Sequence, residues 1–453
     1  MKVPKSIPTT RRGFLKGAVA GALITKMRPP FTSAATQRPN VLFILADDLG
    51  WGDLSCYGRP DYRTPHLDNL ARQGTRFTAA YSASPVCTPT RCAFITGRYP
   101  ARTLVGLEEP LAWRKNIGDR LGLPADHPTI ASLLRSNGYE TALIGKWHLG
   151  YLPKYGPLQS GFNEFFGIMS GGADYFTHKD GAGEPDLYEG KASVERIGYV
   201  TDLLTESAIK YIAKHRDHPF YLSLHYTAPH WPWEGPGDEQ VSKTLKSLVE
   251  GGSLKAYAAM MKSLDDGIGR VMKALGDAKL HRDTLVIFTS DNGGERFSYN
   301  WPFTGQKLDL HEGGIRVPAI VRWPGVVPPG LSTDQVAITM DWTATILGVT
   351  QTKADPNYPI DGQDLFQVIK GVRPVYERTI FWRTRRQDAL RSGKWKYLKE
   401  GKSEYLFDLS VDEREQANFK EKSPDVFKQL QAEYQKWQSQ MLPLPEIKSN
   451  SGR

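Results

Sequence analysis

Short unbroken apolar runs alternate along the chain with longer stretches whose apolar residues recur every three or four positions. The run Val41-Leu42-Phe43-Ile44-Leu45 has no polar member, the pattern of a strand buried on both faces of a parallel sheet. Residues 141–144, 220–224 and 284–289 repeat that pattern. Between these runs, Leu67, Leu70 and Ala71 have helical spacing with Gly74 as a stop, and residues 129–136 form a helix closed by Gly138. Two further helices are predicted over residues 201–213 and 254–275. Strands alternating with helices predict an α/β sandwich built on a large mixed, mostly parallel sheet. After residue 365 the rhythm changes. Residues 379–383, 388–391, 395–398 and 404–408 read as short antiparallel strands, and residues 424–441 as a terminal amphipathic helix. The expected organisation is a leader over 1–35, an α/β domain over 36–365 and a smaller α+β domain over 366–453.

The leader rests on Thr10-Arg11-Arg12-Gly13-Phe14-Leu15-Lys16, a weakly apolar run from Gly17 to Thr25, and Ser33-Ala34-Ala35. Paired arginines before such a run and a small-residue cleavage site read as a twin-arginine export signal. It changes the charge argument. Of the formal net charge of +9, residues 1–35 supply seven basic side chains and no acidic one, which leaves +2 for the rest. The basic balance therefore gives no case for nucleic acid, and no apolar run has the length of a membrane span. A local cluster, Arg383, Arg385, Arg386 and Arg391, has the chemistry to meet a polyanion but reads first as a solvated loop. Three cysteines, Cys56, Cys87 and Cys92, are too few and odd in number for a disulfide framework.

Ligands of open α/β sheets sit beyond the carboxyl ends of the strands, so the polar residues there are the ones to collect. They are Asp47-Asp48, Lys146 and His148, His225 and His230, and Asp291-Asn292, joined by Lys307 and His311 from a later loop. Asp47, Asp48, Asp291 and Asn292 make an all-oxygen set suited to a hard cation, Ca²⁺ or Mg²⁺. Arg91, Lys146, His148, His230 and Lys307 suit a tetrahedral oxyanion whose charge moves to a leaving oxygen. Cys87 stands just before Pro89, which can start a helix. A helix N-terminus favours an anion and lowers a thiol's pKa, so Cys87 is the candidate centre of the chemistry.

With these residues together, the chain resembles the type I sulfatases of the alkaline phosphatase superfamily from about Pro39 to the terminal helix. Cys87-Thr88-Pro89-Thr90-Arg91, running on to Ile95-Thr96-Gly97-Arg98, matches that family's signature. The resemblance implies that a maturation enzyme oxidises Cys87 to formylglycine, whose hydrated aldehyde attacks a sulfate ester. It implies that Asp47, Asp48, Asp291 and Asn292, with the modified Cys87, hold one divalent cation, Ca²⁺ ahead of Mg²⁺. Arg91, Lys146 and Lys307 would grip the sulfate oxygens, His230 would protonate the departing alcohol, and His148 would take a proton from the remaining hydroxyl of residue 87.

Export and the aromatic residues on the predicted loops point to a sulfated polysaccharide or oligosaccharide, a glycosaminoglycan or an algal galactan such as carrageenan. Trp231, Trp233, Trp301 and Tyr175 are the candidates for stacking on sugar rings, and His311 for a polar contact. Two alternatives stand beside this reading. One is a phosphatase, phosphodiesterase or phosphonate hydrolase of the same superfamily, which usually carries a threonine or serine nucleophile and a histidine-rich two-metal site. The other is a non-catalytic carbohydrate-binding protein on the same fold.

Overall fold

Every residue of β1 (Asn40–Ala46) is buried, and its side chains divide between two apolar layers. Val41, Phe43 and Leu45 enter one layer with Phe94, Leu134 and Trp342; Leu42, Ile44 and Ala46 enter the other with Leu204, Met261 and Val286. A strand wetted on neither face is what its unbroken apolar run requires. The computed structural model describes residues 38–445, so the export leader expected over 1–35 lies outside the described residues.

The following strands are β2 (Thr75–Tyr81), β3 (Glu140–Gly145), β4 (Glu164–Ile168), β5 (Leu187–Glu189), β6 (Ala192–Ser193), β7 (Phe220–His225), β8 (Thr284–Ser290), β9 (Arg316–Arg322), β10 (Leu331–Thr333) and β11 (Ala337–Ile338). They form one mixed sheet in the order β10-β2-β9-β8-β1-β7-β3-β4-β5-β6, with β11 also paired to β2. β1 runs parallel to β7 and β8, and β3 runs parallel to β7 and β4. β9 is antiparallel to both β8 and β2. The apolar pattern predicted neither β2 nor β9. β2 carries half-exposed Arg76 and Thr78, and β9 carries Pro318, a residue that reads against a strand interior.

Helices cover both faces. Cys87–Thr96, Ile130–Ser136 and Thr339–Val349 line the first layer; Pro65–Arg72, Val200–Lys214 and Leu254–Asp277 line the second. Among the described residues no helix is long and apolar enough to cross a membrane.

The C-terminal segment adds β12 (Thr379–Arg383), β13 (Gln387–Ser392), β14 (Trp395–Glu400) and β15 (Ser403–Asp408), antiparallel in chain order, and the Pro424–Gln438 helix, which stops three residues short of expectation. Trp382, Leu398 and Leu430 share a core with Ala79, Tyr81 and Ala93 from the large sheet and its helix. An ionic cluster reinforces that seam. The buried Lys396 ammonium of β14 lies 3.0 Å from Glu312 and 2.7 Å from Glu415. Removing one partner of a buried pair strands the others, so Lys396→Ala is expected to cost about 3–5 kcal/mol in urea unfolding. A loss below about 1 kcal/mol, the worth of a surface pair, would show that the cluster does not hold the seam together.

Candidate active site

The register brings four strand ends into one row. Gly145 and Leu45 both pair with His225, and Ala46 pairs with Ser290, so Lys146, Asp47 and Asp291 emerge side by side. Gly145 makes this possible. At a φ of +119° it presses against the His225 carbonyl, where any Cβ would collide, and the next N–H, of Lys146, donates to that same oxygen at 2.9 Å.

The charged groups interlock. Lys146 Nζ donates to Asp47 Oδ2 at 2.6 Å, and Lys307 Nζ donates to Asp48 Oδ2 at 2.6 Å. Arg91 grips Asp291 Oδ2 through Nε at 3.1 Å and Nη2 at 2.8 Å, while its Nη1 donates to the Lys146 carbonyl at 3.0 Å. Asp291 Oδ1 accepts the Asp48 N–H at 3.1 Å, and Asn292 Nδ2 donates to Asp48 Oδ1 at 2.7 Å. Asp48 and His148 hold left-handed backbone, with φ of 61° and 54°. For residues other than glycine this costs on the order of 1–3 kcal/mol, and it persists where surrounding contacts fix a side chain's aim.

Two acceptors in this cluster have no hydrogen-bond partner: Asp47 Oδ1 and Asn292 Oδ1, both on fully buried residues. Buried oxygens left without donors are costly, and the donor set of Asp47, Asp48, Asp291 and Asn292 fits a hard cation. Ligand atoms of Asp47, Asp48 and His230 also lie within 4.8 Å of one another. Burial, with Asp47 adding to it, pushes the Asp291 carboxyl up to about 7. Burial also pushes Asp48 up, but Lys307, His230 and Lys146 outweigh it and hold that carboxyl below the usual range.

Cys87 is the first residue of its helix, which therefore begins two residues earlier than Pro89 implied. Pro89 is third, where its missing N–H breaks no helical bond. Arg91 follows one turn later on the same helix. Cys87 Sγ lies 3.3 Å from His148 Nδ1, and His148 Nε2 lies 3.1 Å from the Leu111 carbonyl. That carbonyl accepts a hydrogen bond from Nε2–H, which leaves Nδ1 as an acceptor facing residue 87. Burial first, then Lys146, pushes His148 well below the ordinary imidazole range; burial and then Lys307 do the same to His230. One expectation is reversed. Burial drives the Cys87 thiol pKa up despite the helix end, Lys146 and Lys307, and the nearby Asp47 and Asp291 add to the rise.

Residues 39–352 match the family model Sulfatase. The chain belongs to the sulfatase family of the alkaline phosphatase superfamily. It is a sulfuric ester hydrolase. The sulfatase is 33% identical over 374 residues to pig (Sus scrofa) N-acetylgalactosamine-6-sulfatase, an alignment covering 77% of this chain and 69% of that one. It is 30% identical over 465 residues to mouse (Mus musculus) arylsulfatase J, covering 89% and 76%. A solved structure of Ps i-CgsB in complex with k-i-k-neocarrahexaose superposes with a TM-score of 0.82 at 30% identity, covering 92% of this chain and 96% of that one.

The remaining predicted residues separate by surroundings. His230 Nε2 is 3.6 Å from Asp48 Oδ2, and its Nδ1 lies 2.7 Å from the Trp231 carbonyl. The half-buried Trp231 ring lies tilted at 45° to His230, with centroids 4.1 Å apart, and beneath Lys307 Nζ at 5.8 Å. Trp301 is exposed, with the Arg414 guanidinium over its ring at 4.9 Å. Trp233 and Tyr175 are instead spent on packing. Trp233 is buried against Phe297 and Arg296, and Tyr175 is fully buried with its hydroxyl donating to the His230 carbonyl at 2.9 Å. His311 turns to Asp309, 2.7 Å away, rather than to the carboxylate cluster.

Two residues in the sulfatase site had no role assigned from sequence. His225, the last residue of β7, sets Nδ1 3.3 Å from Arg91 Nη1 and 3.2 Å from the Lys146 carbonyl, packing against the Arg91 guanidinium and the Lys146 backbone. Trp113 stands edge-on to Trp231 with centroids 6.3 Å apart. Its segment carries no strand or helix signature, so nothing in the sequence marked it.

Proposed function

We propose that this sulfatase removes sulfate from a sulfated carbohydrate, using formylglycine made from Cys87 and one divalent cation, Ca²⁺ ahead of Mg²⁺. The observation that carries the reading is the surroundings of residue 87: a helix-start cysteine beside a neutral His148, with Arg91, Lys146 and Lys307 each held on a separate carboxylate. When bound, the cation supplies positive charge at Asp47, Asp48, Asp291 and Asn292, and formylglycine supplies a hydrated aldehyde at position 87.

This chain's own groups do the rest. Arg91, Lys146 and Lys307 hold the sulfate oxygens and absorb charge as the ester bond lengthens. His148 Nδ1, unprotonated and facing residue 87, takes the proton of its hydroxyl. His230 has its Nδ1 proton engaged by the Trp231 carbonyl, so Nε2 is the nitrogen that serves the departing alcohol. An arriving sulfate anion raises that nitrogen's affinity for a proton.

The carbohydrate reading is supported by the name of the pig relative, by the neocarrahexaose in the Ps i-CgsB structure, and by Trp231 and Trp301 as ring faces for a sugar. A glycosaminoglycan or an algal galactan such as carrageenan fits these features. The leader adds the twin-arginine export machinery and a maturation enzyme as partners, and a periplasmic or secreted location. Side-by-side assays of an aryl sulfate and an aryl phosphate test the chemistry. The kcat/KM for sulfate is expected to exceed that for phosphate by at least about tenfold, a difference of about 1.4 kcal/mol at the transition state. The opposite order would favour the phosphatase alternative.

A further inference from the structure

The basic cluster singled out in the sequence divides in the fold. Arg391 is half-buried, with its guanidinium on the Tyr81 hydroxyl and near Glu312, and Arg383 Nη2 donates to the Leu442 carbonyl at 2.7 Å. Arg385 and Arg386 remain exposed, side by side on the turn between β12 and β13. The turn is rigid. Thr384 Oγ1 accepts the N–H groups of Arg386 at 3.2 Å and Gln387 at 2.9 Å, and Thr384 N–H donates to the Gln387 carbonyl at 2.8 Å.

Its neighbours are the two segments that flank Cys87. On one side Gln387 accepts the Leu310 N–H at 2.8 Å and donates to Asp309 at 3.1 Å. That loop carries Lys307, and its Leu308 N–H donates to the Pro85 carbonyl at 2.9 Å. On the other side the Arg385 N–H donates to Glu109 at 3.1 Å. Two residues on, the Leu111 N–H donates to Thr88 Oγ1 at 3.1 Å, and the Leu111 carbonyl faces His148.

The guanidinium groups are only lightly engaged, with Arg385 Nη1 donating to the Pro445 carbonyl at the long distance of 3.5 Å. Arg385 lies 3.9 Å from Glu108 in a part-exposed pair of the kind that contributes little, and among the described residues Arg386 makes no ion pair. Two guanidinium forks on a pinned turn suit a sulfate, whose oxygens accept parallel hydrogen bonds.

We propose that Arg385 and Arg386 form an anion subsite that takes a second sulfate of a polysulfated glycan while the first sulfate is held at residue 87. This rests on the carbohydrate reading given above and adds the substrate class: a chain with sulfate on more than one sugar.

The test compares kcat/KM for a polysulfated galactan hexasaccharide with that for a monosulfated disaccharide of the same sugar. In the double variant Arg385→Ala, Arg386→Ala the ratio of the two is expected to fall about tenfold, mainly through KM. The double variant with lysine at both positions is expected to restore part of the ratio. The wild-type ratio should also decline as salt screens the contact. A ratio that is the same in wild type and the alanine variant overturns the subsite and leaves the carbohydrate reading intact. Hydrolysis of an aryl sulfate with no turnover of either galactan, or of a matching monosulfated and polysulfated glycosaminoglycan pair, overturns the carbohydrate reading, and the subsite falls with it.

Discussion

The Cys87→Ala variant is expected to keep the fold and lose turnover by at least about a thousandfold, the scale on which removal of a nucleophile acts. Alanine suits the first turn of a helix, and the residues that organise the site are held chiefly by one another, although His148 Nδ1 also meets the sulfur at 3.3 Å. Arg91 is fixed by Asp291 and Lys146, and His148 by Leu111. Thermal unfolding of the variant should therefore stay within a few degrees of the parent. The thiol itself has the wrong properties for the reaction. Burial raises its pKa, so little thiolate forms at neutral pH, and thiolate is the reactive species. A helix start that cannot ionise its cysteine, beside an unprotonated imidazole nitrogen, is better matched to a hydroxyl at position 87 that gives a proton to His148. Mass analysis of the tryptic peptide carrying residue 87 reads this directly. An aldehyde mass is expected in active enzyme, and a thiol mass at full activity would refute formylglycine.

How much of this was legible beforehand depended on how far each feature could be read from its own segment. β1, β3, β7 and β8 announce themselves because an interior parallel strand must be apolar on both faces, and Asp47, Lys146 and Asp291 follow from standing at their ends. β2 and β9 pair at some distance along the chain and carry arginine, threonine and proline, so their strand character lies in the pairing. The thiol pKa runs opposite to the sequence expectation for a related reason. A helix end is visible in sequence, but the complete burial that overrides it is assembled from several segments. The aromatic residues show the same limit. Trp231 and Trp233 are two positions apart on one loop, yet one ring lies by His230 and the other fills a gap against Phe297. Trp113 lies beside Trp231 on a segment held by contacts from distant parts of the chain, Thr88 and His148 at Leu111 and Tyr151 at Ala112.

Calcium is expected to raise the melting temperature of chelator-treated enzyme by several degrees, and Mg²⁺ by less. Without a cation, Asp47 Oδ1 and Asn292 Oδ1 have no partner, and burial, with Asp47 adding to it, pushes the Asp291 carboxyl up to about 7. An ion that binds only the folded protein stabilises it by about 2.7 kcal/mol at a hundred times its Kd. Irregular oxygen donors from two loops suit the flexible shell of Ca²⁺ better than the strict octahedron of Mg²⁺. Asp47→Asn should abolish the cation-dependent rise, because it removes the charge on the oxygen that has no other partner. The change in melting temperature on adding Ca²⁺ is the quantity to compare, since the variant also leaves the buried Lys146 ammonium without its counter-ion and lowers the baseline. Equal melting curves with and without millimolar Ca²⁺ or Mg²⁺ in the parent enzyme would mean that Lys146, Lys307 and Arg91 alone neutralise the carboxylates. In that case all three cations are already engaged, and the sulfate would have to compete with Asp47, Asp48 and Asp291 for each of them. With a cation held by Asp47, Asp48, Asp291 and Asn292, Lys146 and Lys307 would be free to turn to the sulfate, so loss of the ion is expected to weaken sulfate binding as well as stability.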